Sequence, residues 1–228
     1  MRRGIFITFE GIDGCGKTTQ IERLVERLRA EGYEVEKTVE PGGTPVGRQI
    51  RRILLDFRNH EISPRTELLL YFASRAQNVD QRIRPALEDG RIVVSDRYTD
   101  STLVYQGIAR GLGEDVVARL HRIACGDIHP DLTICLDISL ETSLERARTR
   151  NRELTGDQAV ETRMDEQSTE FYRKVREGYR ELARREPARF RIVDGGGGVE
   201  AVAAAVWAVV AEKLPAVAGV HPGPETGS

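Results

Sequence analysis

Five short apolar runs punctuate the chain at wide intervals: GIFITF (4–9), EVEKTV (34–39), RIVVSD (91–96), DLTICLD (131–137) and RFRIVD (189–194). Each has the length of a strand, and the segments between them carry apolar residues at helical rather than alternating spacing. The clearest is TTQIERLVERLRAEG, where Ile21, Leu24, Val25 and Leu28 form one stripe and Gly32 stands where a helix would be capped. Strands alternating with amphipathic helices predict βαβ units. The expected fold is therefore α/β, a five-stranded parallel sheet flanked by helices on both faces. Ligands of such sheets bind beyond the carboxyl ends of the strands. Four of the five runs end there in an acid or a glycine-rich turn: Glu10 before Gly11, Asp96, Asp137, and Asp194 before four glycines.

Composition narrows the class without naming a chemistry. With 228 residues and 39% hydrophobic content, the chain suffices for one domain with a substantial core, here expected over residues 1–214. A net charge of −2 gives no global field toward nucleic acid or a membrane surface, so positive charge must act locally. Cys15, Cys125 and Cys135 show no metal-ligand spacing and cannot all pair, which favours a reducing, cytoplasmic setting. The apolar run near the N-terminus is too brief for a signal-peptide core, and AVAAAVWAVVAEKL falls short of the roughly 18 apolar residues that span a bilayer. Residues 215–228, PAVAGVHPGPETGS, offer little to bury and read as a disordered tail.

GIDGCGKT, residues 11–18, fits G-x-x-x-x-G-K-[ST] and sits between an apolar strand and an amphipathic helix, the context that this motif requires. Its backbone N–H groups and the helix N-terminus are expected to cradle ATP phosphates through Gly11, Ile12, Asp13, Gly14, Cys15, Gly16, Lys17, Thr18 and Thr19. Lys17 would reach the outer phosphates and the Thr18 hydroxyl would ligate Mg²⁺. Switches, ATPases and kinases all use such loops. The guanine-reading string N-K-x-D is absent. A hydrolase would need a water-activating acid, for which Asp137 is a candidate. A kinase would need an acceptor pocket and a means of excluding water. The loop also holds a puzzle: Asp13 places an anion where anions bind.

FEGIDGCGKTTQ, EPGGT (40–44), YFASRAQ (71–77), DRYTDSTLVYQG (96–107) and RMDEQSTEFYRKVREGY (163–179) follow one another in this order. Together, over roughly residues 4–213, they closely resemble thymidylate kinases. The resemblance implies a P-loop nucleoside-monophosphate kinase fold with a mobile lid at about 148–160. It also implies a likeness in activity, ATP + dTMP → ADP + dTDP with Mg²⁺, and a homodimer binding no nucleic acid or membrane. It gives Asp13 a task, facing the acceptor sugar; a carboxylate accepts a hydroxyl proton but repels triphosphate. By the same resemblance Arg97 clamps the acceptor phosphate and the group in flight. Asp96 holds Mg²⁺, with Asp137 as rival. Phe72 stacks on a pyrimidine, Arg75 donates to a base carbonyl and Tyr105 crowds the sugar 2′ position. Ser101 and Thr102 offer hydroxyls near the base, and Asp165 approaches the acceptor sugar. The run Leu68–Phe72, apolar around much of a helix, fits a dimer interface as well as a pocket.

Two departures from the family pattern matter. Many bacterial relatives carry an arginine before EPGG; here the residue is Val39, and Arg48 is the nearest basic substitute. Some members also carry an arginine inside the phosphate loop, whereas this chain has Gly14 and resembles those with a basic lid. ERARTRNRELTG places arginines at 146, 148, 150 and 152, and transfer charge is expected from Arg148 and Arg150. The four glycines after Asp194 read equally as room for adenine and as flexible-linker composition. Two alternatives stay open: another pyrimidine-monophosphate or deoxynucleoside kinase, and a P-loop ATPase or nucleotide sensor whose hydrolysis ignores any acceptor.

Overall fold

In the computed structural model, which describes residues 3–153, 163–164 and 167–215, every strand lies parallel to its neighbours. The chain runs β1 (Phe6–Glu10), α1 (Lys17–Ala30), β2 (Val35–Val39), α2 (Pro45–Leu55), α3 (Pro64–Asn78), α4 (Arg84–Glu88), β3 (Ile92–Asp96), α5 (Thr99–Thr102), α6 (Glu114–Cys125), β4 (Leu132–Asp137), α7 (Leu140–Glu153), α8 (Thr169–Arg185), β5 (Phe190–Asp194) and α9 (Val199–Ala211). All five expected strands are present, each within two residues of its apolar run. The sheet order is β2-β3-β1-β4-β5. From β1 the chain crosses to the far edge, returns to β3, then crosses β1 to β4. That reversal opens a crevice above β1, between β3 and β4, where ligands of such sheets bind.

The stripe foreseen on α1 buries Ile21, Leu24, Val25 and Leu28 against Ile7, Phe9, Val94 and Ile134 of the sheet and Val202, Val206 and Val210 of α9. Each such side chain contributes about 1.5–3 kcal/mol on burial. The helix stops at Ala30, and Gly32 sends its N–H back to the Arg29 carbonyl. On the opposite face α8 packs Phe171, Tyr172, Val175, Tyr179 and Leu182 against Ile12, Cys135 and Phe190. Both faces are thus covered, as near-continuous apolar strands demand. The three cysteines are buried and free. Among the described residues no helix is long and apolar enough to cross a membrane.

Candidate active site

Two side chains of the phosphate loop turn inward: Ile12 and Cys15 are each 2% exposed and belong to the core beneath, while Asp13 stays half-buried. Gly16, at φ 94°, takes a left-handed conformation that an L side chain resists, and α1 begins at the next residue. Lys17 folds back over the loop, its Nζ donating to the carbonyls of Gly11 at 3.1 Å and Ile12 at 3.2 Å. Thr18 and Thr19 lie exposed on the first helical turn. Gly14 is fixed for another reason: a Cβ there would stand 2.5 Å from the Ser143 carbonyl and 3.2 Å from Arg146 Cβ. The base of α7 rests directly on the loop, tied further by the Ser143 hydroxyl, which donates to the Asp13 carbonyl. An arginine at position 14 has no room.

Arg97 organises the acceptor side. Its Nη2 donates to Asp13 Oδ1 at 2.9 Å, and Nη1 reaches Ser101 Oγ at 3.1 Å and the Tyr179 hydroxyl at 3.4 Å. The guanidinium lies 5.1 Å from the Tyr105 ring centre, over a residue that is itself buried. Burial opposes its charge, but Tyr105, Asp13, Tyr179 and Glu10 outweigh that and hold Arg97 well above its ordinary value. Asp13 therefore reaches Arg97, at the turn between β3 and α5. Arg97, Asp13, Ser101 and Tyr105, all named from the sequence, come together here.

A second arginine is buried deeper. Arg75 is 1% exposed; Nε donates to Glu40 Oε2 at 2.6 Å, and Nη2 to the Tyr98 carbonyl at 3.0 Å and Thr102 Oγ1 at 2.9 Å. Its remaining nitrogen, Nη1, is buried without a partner. Such a donor costs free energy unless something accepts from it. Burial works against the charge of Arg75, yet Glu40 prevails and raises it above the usual value. The hydroxyls of Ser101 and Thr102 are thus engaged by the two arginines. Phe72, expected to stack on a base, is 4% exposed and packs with Leu68 and Val117 in the seam between α3 and α6. Its neighbour Tyr71 is half-buried, and its phenol lies within electrostatic reach of Glu67, Arg163, Arg97 and Asp13. One residue of helical rotation separates the core aromatic from the one turned to the site.

The two rival acids differ in their company. Asp137 Oδ1 accepts from Arg176 Nε at 2.6 Å, while Oδ2 accepts from Arg176 and Arg180 at 3.1 and 2.9 Å. Burial would raise its carboxyl, but those hydrogen bonds hold it below the ordinary range. Asp96 ends β3 half-buried beside the crevice. At the EPGG turn Arg51 Nη1 donates to the Pro41 carbonyl at 3.1 Å and Arg82 Nη1 to the Gly43 carbonyl at 2.8 Å, whereas Arg48 is exposed. Asp165, lid residues 154–162 and the tail beyond Pro215 lie outside the described residues, as do the side chains of Arg148, Arg150 and Arg152 on α7.

Sequence patterns had left Glu10, Glu40, Tyr71 and Tyr179 without roles. The available signal was the position of the two acids at strand ends: Glu10 closes β1 and Glu40 follows β2 directly. Both are buried, at 0% and 3% exposure, and both take hydrogen bonds from the segments bearing Arg97 and Arg75.

A parallel sheet with a phosphate loop after β1, a half-buried Arg97 paired to that loop's Asp13, and a buried Arg75 beyond it, define a P-loop kinase: one end holds a phosphate donor, the other an anionic acceptor. The comparisons with known proteins agree. A family model described as thymidylate kinase matches residues 9–206. The thymidylate kinase of Geobacter sulfurreducens is 52% identical over 213 residues, covering 93% of this chain and 99% of that protein. That of Thermomicrobium roseum is 51% identical over 209 residues, 92% of this chain and 95% of its own. A crystal structure of thymidylate kinase from Ehrlichia chaffeensis aligns at TM-score 0.72 with 31% identity, over 92% of this chain and 99% of that one. The chain belongs to the thymidylate kinase family, and so is a nucleoside-monophosphate kinase.

Proposed function

We propose that this chain transfers the γ-phosphoryl group of ATP to the phosphate of dTMP, giving ADP and dTDP. The observation that carries the choice of acceptor is the partnerless, buried Nη1 of Arg75. A thymine carbonyl would accept from it. A cytosine amine would meet it donor to donor and leave two buried groups unsatisfied, a form of discrimination stronger than apolar fit alone. Tyr71, on the same helical face four residues earlier, supplies the aromatic surface against the base. Tyr105 closes the sugar side and Asp13 accepts from a sugar hydroxyl.

At the other end of the transfer, the loop N–H groups and Lys17 hold the donor phosphates. Arg97 holds the acceptor phosphate and the group in flight, whose charge spreads over three oxygens in the transition state. Thr18 and Asp96 would hold a magnesium ion. Both offer the hard oxygen donors that the ion takes, and Asp137 is already committed to two arginines. An ion held there would neutralise charge on the donor phosphates. Positioning and charge suffice, with no covalent enzyme intermediate. The coupled release of ADP with and without dTMP tests the proposal: release should require dTMP, and hydrolysis indifferent to dTMP, dUMP, CMP and thymidine alike would sink it.

Closure of the lid is assigned the exclusion of water and the delivery of further charge. Arg148 and Arg150 belong to α7, whose base rests on the loop. Arg150→Ala is therefore expected to lower kcat at least about tenfold with little change in dTMP affinity, since a delivered arginine acts in the transition state. Single-turnover transfer as fast as in the unaltered chain would take Arg150 out of the reaction.

A homodimer completes the proposal. Leu69 on α3 and Val116 and Ile123 on α6 expose apolar side chains beside the α3–α6 seam, Ile123 at 82%. A second copy of the chain would cover them. A sedimentation mass of one chain at assay concentration would remove the dimer.

A further inference from the structure

Glu10 is fully buried one residue before the phosphate loop, and no step above uses it. Its Oε1 accepts the backbone N–H of Tyr98 at 2.9 Å and of Ser101 at 3.2 Å. Its Oε2 accepts the Tyr179 hydroxyl at 2.9 Å and also the Ser101 hydroxyl. All four groups donate to the carboxylate; a glutamine would keep an oxygen for the two N–H groups only by making the Ser101 and Tyr179 hydroxyls turn to accept from its N–H₂, and it would withdraw the negative charge from beside Arg97.

The turn that it grips is strained. Arg97 has φ 70°, the one positive value at a non-glycine residue among the described residues. For an L-residue that conformation costs about 1–2 kcal/mol and persists only where the surroundings enforce it. Here they do. The N–H of Arg97 goes to the Phe9 carbonyl at 2.9 Å, its own carbonyl accepts from Ser95 Oγ at 2.7 Å, and the next N–H, that of Tyr98, goes to Glu10. Two consecutive residues of β1 thus hold the peptide groups on either side of the strained one. Glu10 Oε2 also stands 4.0 Å from Arg97 Nη1.

We propose that Glu10 is a positioning residue for phosphoryl transfer, fixing the left-handed backbone of Arg97 and hence the aim of its guanidinium. This rests on the assignment of Arg97 to the acceptor phosphate. The electrostatics agree with the geometry. Burial pushes the Glu10 carboxyl up to about 7 against the pull of Arg97, with Asp100 adding to the rise and Ser101 and Tyr179 opposing it.

The test is a double-mutant cycle on the full chain with Glu10→Gln and Arg97→Ala, reading kcat and the KM of each substrate. Glu10→Gln should lower kcat/KM for dTMP about 10²-fold, the cost of a reacting group misplaced by about 1 Å, and leave the KM for ATP within about twofold. With Arg97 already alanine, the same change should cost less than about threefold, because Glu10 acts through that side chain. Should Glu10→Gln fail to fold, Glu10→Asp, which keeps the charge but withdraws it from the turn, is read in the same cycle. The proposal is overturned if the two losses multiply in full, if dTMP kinetics are unaltered in folded Glu10→Gln, or if neither variant folds. If Arg97→Ala alone retains full activity, the assignment of Arg97 falls instead.

Discussion

Arg97→Ala lowers kcat for dTMP by about 10³-fold, while the KM for ATP moves less than about threefold; steady-state and single-turnover rates measure both. That loss corresponds to about 4 kcal/mol of transition-state stabilisation. The size follows from the site. The guanidinium sits half-buried among Asp13, Ser101, Tyr105 and Tyr179, where charge acts more strongly than in solution. Its removal leaves Asp13 facing the incoming phosphate with its 2.9 Å ion-pair partner gone. Lysine is expected to recover little of the rate, because a point charge cannot reproduce the planar fork. A kcat within about tenfold of the unaltered chain would remove Arg97 from the transfer step.

Arg75→Met has two effects at once, on acceptor recognition and on stability. Its loss leaves Glu40 buried at 3% exposure with only Asn78 as a side-chain donor. Breaking a buried pair from one side costs about 3–5 kcal/mol, which lowers Tm by about 10 °C in a chain of this size. The kcat/KM for dTMP falls about 10²-fold, and discrimination between dTMP and dCMP narrows, since the donor that refuses a cytosine amine is gone. Glu40→Gln in the same background should restore part of the Tm and none of the acceptor preference. Calorimetry and competition between the two nucleotides separate these outcomes. An unchanged ratio of dTMP to dCMP use would show that Arg75 serves the fold alone.

The parts of this molecule governed by local rules were legible in its sequence. Strand runs, the α1 stripe and the glycine-lysine loop depend on periodicity and backbone geometry, and each appears where its residues predicted. Arg97 and Asp13, at a strand end and a loop position, and Tyr105, named by the family resemblance, lie together at one edge of the sheet. The failures have a common physical origin in contacts that run across the fold. Phe72 and Tyr71 are adjacent on α3, and only the packing of α6 against that helix decides which aromatic is buried in the seam. Glu10 and Glu40 read as ordinary strand ends because their partners, Tyr98, Ser101 and Arg75, lie far along the chain. Arg51 displaced Arg48 at the EPGG turn for the same reason: the turn of α2 settles which guanidinium reaches Pro41.

The close seat of α7 on Gly14 bears on how such kinases vary. Ser143 and Arg146 occupy the space into which a side chain at position 14 would grow. Grafting a side chain onto the loop of this chain would lever α7 off its seat. A side chain at position 14 and this placement of α7 exclude one another by volume, so a loop cation would require coordinated change at both segments rather than a single substitution.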